Sequence, residues 1–286
     1  MANITDIKAR IKSINDTRQI TKAMELISVS KVKRAQENYD KNLFYFKSLI
    51  KAISDLLENT DCVDCGERFF KRGTGGATAY IVISSDKGLA GGYNHNVLNY
   101  AMDLISKDDN KKVVTFGKTA AEFFKRNNVS VEKEFLSIGN PTLKDARSIA
   151  YDIYHAFDNG EIDEAVIVFT DIDDKGVQKP VAFEILPLER SQFDSAEKYG
   201  SKMIYDPSAD VVLDSLIPQY LVGLVFAVLL HATVSEHKAR MVAMESATRN
   251  ADEMLDKLHL EYNRARQESI TNELLEIVSG SASVGK

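Results

Sequence analysis

Cysteine is almost missing from this chain, which holds only Cys62 and Cys65. Two thiols rule out a disulfide framework. With no second cysteine pair and no histidine close by in sequence, Cys62-Val63-Asp64-Cys65 also lacks the ligands of a four-coordinate zinc site. An inert, reduced pair is the expectation. Long apolar runs are missing too: the longest, Leu221 to Leu230, falls well short of the roughly 20 residues a spanning helix needs, and it reads as a buried helical stretch. The opening residues, Met1-Ala2-Asn3-Ile4, carry neither the charged and apolar regions of a secretory signal nor the Arg/Ser-rich character of a transit sequence, so the expected location is the cytoplasm.

Proline and glycine are absent from Ile4 to about Leu57. Over that stretch apolar residues recur at Ile4, Ile7, Ile11 and Ile14, at Ile20, Met24 and Ile27, and at Val32, Tyr39, Leu43, Phe46, Ile50, Ile53 and Leu57. Steps dominated by 3 and 4 predict one long amphipathic helix of about 80 Å, whose stripe needs a cover. The other end of the chain offers one. Met241, Met244, Thr248, Ala251, Leu255, Leu258, Tyr262 and Ala265 follow alternating steps of 3 and 4, the 3.5-residue repeat of a coiled-coil seam. Past Ala265 the apolar positions shift to Ile270, Leu274, Ile277 and Val278. Counting from Pro218, which suits a helix start or a kink, to Ser279, before Gly280, gives a second helix of roughly 90 Å.

Charge supports the pairing. The net charge of −6 hides +4 over residues 1–58 and −4 over residues 208–286. From Lys8 to Arg34 eight basic residues stand against Asp16 and Glu25, a balance that suits nucleic acid, an anionic membrane or an acidic protein equally well.

Between the helices the pattern changes. Residues 59–78 are glycine-rich and read as a linker, and residues 79–207 alternate short β-rich runs with helical ones. Strands are expected at Ala79–Ser84, Lys112–Phe116, Val131–Phe135, Glu164–Thr170 and Val177–Leu186, with helices near Asn94–Ile105, Lys118–Asn127 and Thr142–Phe157. The expected fold is α/β: a long antiparallel coiled coil of the N-terminal (1–58) and C-terminal (208–286) helices plus a small Rossmann-like domain with a largely parallel sheet.

Candidate chemistry is sparse. Ser84-Ser85-Asp86-Lys87-Gly88-Leu89-Ala90-Gly91-Gly92-Tyr93-Asn94 follows a predicted strand and opens a helix, where a phosphate loop belongs, but its glycines do not fit G-x-G-x-x-G. Gly117-Lys118-Thr119 ends like a P-loop, yet position 112 is lysine where the leading glycine should stand. His231 and His237 lie on different faces of a helix and form no catalytic set. No paired carboxylates or nucleophile and base suggest an active site, so no catalytic, cofactor-binding or metal residues are expected. Arg264-Ala265-Arg266-Gln267-Glu268-Ser269-Ile270-Thr271 makes a polar band, either a solvated face or a set of directional donors for a surrounding partner.

Several of these segments together resemble one family. They are Ile20-Thr21-Lys22-Ala23-Met24-Glu25-Leu26 with Ser30-Lys31, the Ser85 to Asn94 loop, Ala239-Arg240-Met241-Val242-Ala243-Met244, and Tyr262-Asn263-Arg264-Ala265-Arg266-Gln267 running on to Gly280. In order and spacing, over nearly the whole chain, they look like the gamma subunit of bacterial F-type ATP synthase. The resemblance implies a non-catalytic central-stalk rotor, its coiled coil on the axis of a hexamer of alpha and beta subunits. It implies a globular domain at the foot beside the epsilon subunit and the membrane c-ring, and a place at the cytoplasmic face of the cell membrane, held there through the complex only. It further implies that Met24 and Arg240 lie near the beta-subunit lever, and that Arg266, Gln267 and Thr271 meet the beta-subunit catch. Two features depart from the family. The apolar run Leu221 to Leu230 replaces a more polar helix, and Cys62/Cys65 are not at the place of the chloroplast regulatory thiols. The residues by themselves leave open a nucleotide-binding α/β enzyme with a coiled-coil arm, or a basic-helix adaptor for nucleic acid or membrane; the resemblance implies no nucleic-acid partner.

Overall fold

The computed structural model describes residues 4–59, 66–136, 141–172, 177–194 and 204–284, so Cys62 and Cys65 lie outside the described residues. The chain forms two units, Met1–Ser28 with Met241–Lys286 and, separately, Val29–Arg240. Two long helices, α1 (Ile4–Glu58) and α6 (Ala209–Val284), contribute to both.

Along α1 the buried face follows a strict seven-residue repeat. Ile7, Ile14, Thr21, Ser28, Ala35, Asn42, Leu49 and Leu56 form one row and Ile4, Ile11, Arg18, Glu25, Val32, Tyr39, Phe46 and Ile53 the other, every one buried or half-buried. This is a heptad seam, which a left-handed supercoil keeps facing its partner. It corrects the expected stripe at two places: Ile20 and Ile27 are 60% and 56% exposed, and Thr21 and Ser28 hold the seam instead. The step of six from Ile14 to Ile20 leaves the seam for the flank of the helix.

In the two-helix unit the partner is α6. Arg18 pairs with Asp252, the Lys8 ammonium sits 5.6 Å from the Tyr262 ring centroid, and the buried Thr248 hydroxyl donates to that of Thr21 at 2.9 Å. Numbers rise on one helix as they fall on the other, so the pairing is antiparallel. All eight seam residues expected on α6 are buried or half-buried. Continuing the Lys8/Tyr262 register places Ile4 opposite Arg266, and beyond it Ile270, Leu274, Ile277 and Val278 are 45%, 58%, 68% and 63% exposed.

The second unit contains a five-stranded sheet in the order β3-β2-β1-β4-β5, from β1 (Ala77–Ile83), β2 (Lys111–Phe116), β3 (Lys133–Phe135), β4 (Ile162–Ile172) and β5 (Gln178–Leu186). All pairs are parallel except β4 with β5. Alternate residues of the central strands feed two cores. Tyr80, Val82, Val166 and Val168 pack with α3 (Tyr93–Ile105) and α4 (Lys118–Arg126). Ala79, Ile81, Ala165 and Ile167 share a core with α5 (Leu143–Asp158), with Ile53 and Leu56 of α1, and with α6. Covered on both faces, β1 reads as a continuous apolar run, as buried parallel strands do.

The same core accounts for Leu221 to Leu230. Leu221, Val225, Leu229 and Leu230 are at most 2% exposed, and Gly223 approaches α1 so closely that a Cβ would meet Phe46 at 3.2 Å. By length and composition α6 contains a stretch apolar enough for a membrane span, but the run lies largely inside the protein. The start of α6 lies at the expected domain bound, not at Pro218. The helix begins at Ala209, where the Ser208 hydroxyl accepts from the Val211 amide at 3.4 Å, and Pro218 lies inside it. There proline removes one donor, which the surrounding core tolerates. At the other end the helix runs through Gly280 to Val284. Within the expected linker, Glu67–Phe70 forms a short helix, α2, because Phe69 is 1% exposed in the main core.

Candidate functional site

The loop between β1 and α3 lies at the carboxyl end of β1, beside β4, where the strand order reverses and open α/β sheets bind ligands. Here the loop fills its own crevice. Asp86 Oδ1 accepts from the Lys118 amide at 3.0 Å and Ser84 Oγ from the Ala120 amide at 2.8 Å, so the first turn of α4 has given these amide donors to side chains. Asn94 Oδ1 accepts from the Ser85 amide at 3.0 Å, and Ser85 Oγ donates to the Lys87 carbonyl at 2.6 Å. The two glycine-containing segments that suggested phosphate binding are packed against each other. This geometry disfavours a nucleotide at that point.

From the other side α6 closes on the loop. Arg240, 8% exposed, donates through Nη2 to the carbonyls of Lys87 at 3.2 Å and Gly88 at 3.3 Å. Its Nη1 donates to Glu236 Oε1 at 2.6 Å and to His237 Nδ1 at 3.2 Å. Burial raises the Glu236 carboxyl above its ordinary range, with Arg240 acting against that shift. His237 is lowered to about 4 by burial first and then by Arg240 and Lys31. Its Nδ1 is already an acceptor, so a proton there would point at a guanidinium. Nearby, the Tyr93 hydroxyl donates to the Ala232 carbonyl at 3.0 Å, and the Tyr93 carbonyl accepts from Thr170 Oγ1 at 3.3 Å.

The other sequence-derived candidates belong to the two-helix unit. Met24 is half-buried on α1, flanked by the exposed Ile20, Leu26 and Ile27. Arg266, Gln267 and Thr271 are exposed on α6, within two turns of one another. Thr271 donates to the Gln267 carbonyl at 2.8 Å, Arg264 to Glu268 at 3.3 Å and Ser269 to Glu273 at 3.3 Å, all within the helix. The band therefore forms a short cluster on α6, while Met24 lies about five or six helical turns away along the register. Glu236, His237 and Tyr93 were not singled out from sequence as a group. The signal for part of that group was present in the Glu236/Arg240 spacing of four, which puts opposite charges on one helix face. His231 stands apart from His237, its Nε2 2.6 Å from Asp171 and its ring against Tyr39 and Phe169. Among the described residues no histidine, cysteine, aspartate and glutamate group could hold a metal ion.

The family profile of ATP synthase matches residues 3–284. The chain is 40% identical to the ATP synthase gamma chain of Ruminiclostridium cellulolyticum, covering 99% of both sequences. It is 39% identical to that of Alkaliphilus metalliredigens, covering 96% of both, and 36% identical to that of Heliobacterium modesticaldum, covering 100% of both. In fold it is similar to a chain in the mitochondrial ATP synthase of Euglena gracilis, with a TM-score of 0.66 at 17% identity, over 98% of this chain and 94% of that one. A second chain, from the rotor of the same enzyme, gives a TM-score of 0.61 at 17% identity, over 93% and 98%. With its paired terminal helices, its α/β unit and a switch-point crevice filled by its own side chains, this chain belongs to the ATP synthase gamma chain family, as a non-catalytic subunit.

Proposed function

We infer that this chain is the central-stalk rotor that couples ion flow through the membrane c-ring to ATP synthesis or hydrolysis in a hexamer of alpha and beta subunits. The observation that carries the reading is the far end of α6. Past Arg266 no described α1 residue stands opposite, yet Ile270, Leu274, Leu275 and Ile277 are all exposed, which water alone does not favour. A helix tip of this kind fits inside an apolar sleeve, with the donors of Arg266, Gln267 and Thr271 forming a collar beneath it. Met24, with its exposed apolar neighbours, and Arg240 complete the proposed beta-subunit contacts. For Arg240 such a contact means exchanging one of its internal acceptors. The α/β unit is proposed to meet the epsilon subunit and the c-ring, so that the chain is peripheral at the cytoplasmic face of the cell membrane and associates with it through the complex.

Co-expression with the alpha and beta subunits of the same organism is expected to yield a stoichiometric complex with ATPase activity. A chain that stays free would overturn the assignment. Within that complex, Arg266→Ala combined with Gln267→Ala is expected to lower ATPase turnover roughly tenfold, about 1.4 kcal/mol. Thermal unfolding of the free chain should shift by no more than about 0.5 kcal/mol equivalent, since both side chains are exposed. Equal losses in both measurements would instead make the band a stability element.

A further inference from the structure

We propose that Tyr93 and the Glu236/Arg240 pair act as positioning residues for rotary coupling, a directional clasp through which force passes between the α6 shaft and the α/β unit. The proposal rests on the rotor reading. Its basis is where each kind of contact lies along α6. From Leu213 to Ala232 the helix is held by the main apolar core, with polar ties at Asp214 to Arg68, Tyr220 to Gln192 and His231 to Asp171. The apolar part of that attachment is non-directional. From Ala232 onward α6 also meets the loop that follows β1. Toward that loop, apart from the small apolar contact of Ala239 with Ala90 and Tyr93, α6 makes hydrogen bonds at two points, Tyr93 to Ala232 and Arg240 to Lys87 and Gly88.

These points are about 12 Å apart along the helix axis, enough to oppose rotation about either one. Each is braced. The guanidinium cannot swing freely, because its other nitrogen is held by Glu236 and His237. Tyr93 is 1% exposed and tied through its carbonyl to Thr170 of β4, while Asp86 and Ser84 tie the same loop to α4. A force on α6 therefore reaches β1, β4 and α4 together. Arg240 is also the last α6 residue of this unit, so the clasp sits where the helix leaves it. A chain that only needed the two parts to adhere would be served by the apolar core, and a buried, bonded arginine would add desolvation cost for no gain.

Tyr93→Phe combined with Thr170→Val tests this without touching a proposed partner contact or a group bonded to one, since Tyr93 and Thr170 are 1% and 0% exposed. The assembled complex in sealed membrane vesicles is assayed for ATP hydrolysis and for ATP-driven ion transport, and the full-length chain for hydrogen exchange. Hydrolysis is expected to stay within about twofold of the unsubstituted complex, transport per ATP to fall about threefold or more, and the amides of residues 85–92 to exchange about tenfold faster. Unchanged transport per ATP with faster exchange would overturn the proposal, because the clasp would then be loosened without consequence. A parallel loss of hydrolysis and transport with incomplete assembly would also overturn it, leaving a merely structural role. Failure of the unsubstituted chain to assemble would instead strike the rotor reading itself.

Discussion

Gly117→Ala is expected to destabilise the α/β unit by roughly 2–6 kcal/mol, a large share of the net stability of a domain. Two costs add. Gly117 has φ +102°, a backbone conformation that L residues rarely adopt. An added methyl would also lie 2.7 Å from Ser84 Oγ and closer still to the Ser84 carbonyl oxygen, in a place where neither group can retreat. Ser84 is 3% exposed, its amide bonds to the Phe116 carbonyl at 2.8 Å, and its hydroxyl caps α4. Gly160 supplies the control, with φ +71° but no atom within 4 Å of a Cβ, so Gly160→Ala should cost only the backbone term, about 1–2 kcal/mol. Urea unfolding of the full chain, followed through hydrogen exchange in β1 and β2, measures both. Equal costs at the two glycines would show that the close approach to Ser84 does not matter.

That contrast bears on what could be read from the residues. Glycines at 88, 91, 92 and 117 stand where a phosphate loop belongs, and their spacing alone argues against one. The sequence could not show that the 84–94 and 117–119 segments pack against each other, since the contact joins the ends of two strands about 30 residues apart. The helices were more legible, because periodicity is local. On α6 the 3.5-residue repeat located every seam residue. On α1 the heptad is masked where Thr21, Ser28 and Ala35 occupy it, and the aliphatic pattern alone points to Ile20 and Ile27. Counting strict sevens from Ile7 would have recovered the seam. Strand bounds differed most at β4, whose ends extend past the apolar centre to Ile162 and Ile172 through residues of mixed polarity.

The placement of the proposed contact residues on their helix was legible for a different reason. Arg266, Gln267 and Thr271 lie within two turns of one helix, so their clustering follows from numbering alone. The clasp was not, because it joins Tyr93 and Lys87 to residues about 140 to 150 positions away. Its charged half was visible as a spacing of four, but burial turns that pair from a surface ion pair into a structural one. The distinction depends on the apolar core ending nearby.

Lowering pH is expected to loosen the same region before the rest of the unit, and His237 is the group that does it. In the folded chain its pKa is lowered to about 4, against an ordinary value near 6.5, because it is buried beside Arg240 and Lys31. A histidine kept neutral by the fold contributes fully above the unfolded value and loses that contribution as pH falls from about 6.5 toward 4. Between pH 7 and 5 the loss should be about 2 kcal/mol, as the unfolded chain takes up a proton that the folded chain refuses. Glu236 acts in the opposite sense, since its folded pKa is raised and acid relieves part of the cost of burying its charge. Substituting His237→Asn separates the two. Asparagine can still accept from Arg240 but does not titrate, so the urea midpoint of that variant should change much less between pH 7 and 5 than that of the unsubstituted chain. Parallel pH profiles would assign the acid sensitivity to other groups. If the acid loss is steeper in the variant, the sign assigned to His237 is wrong.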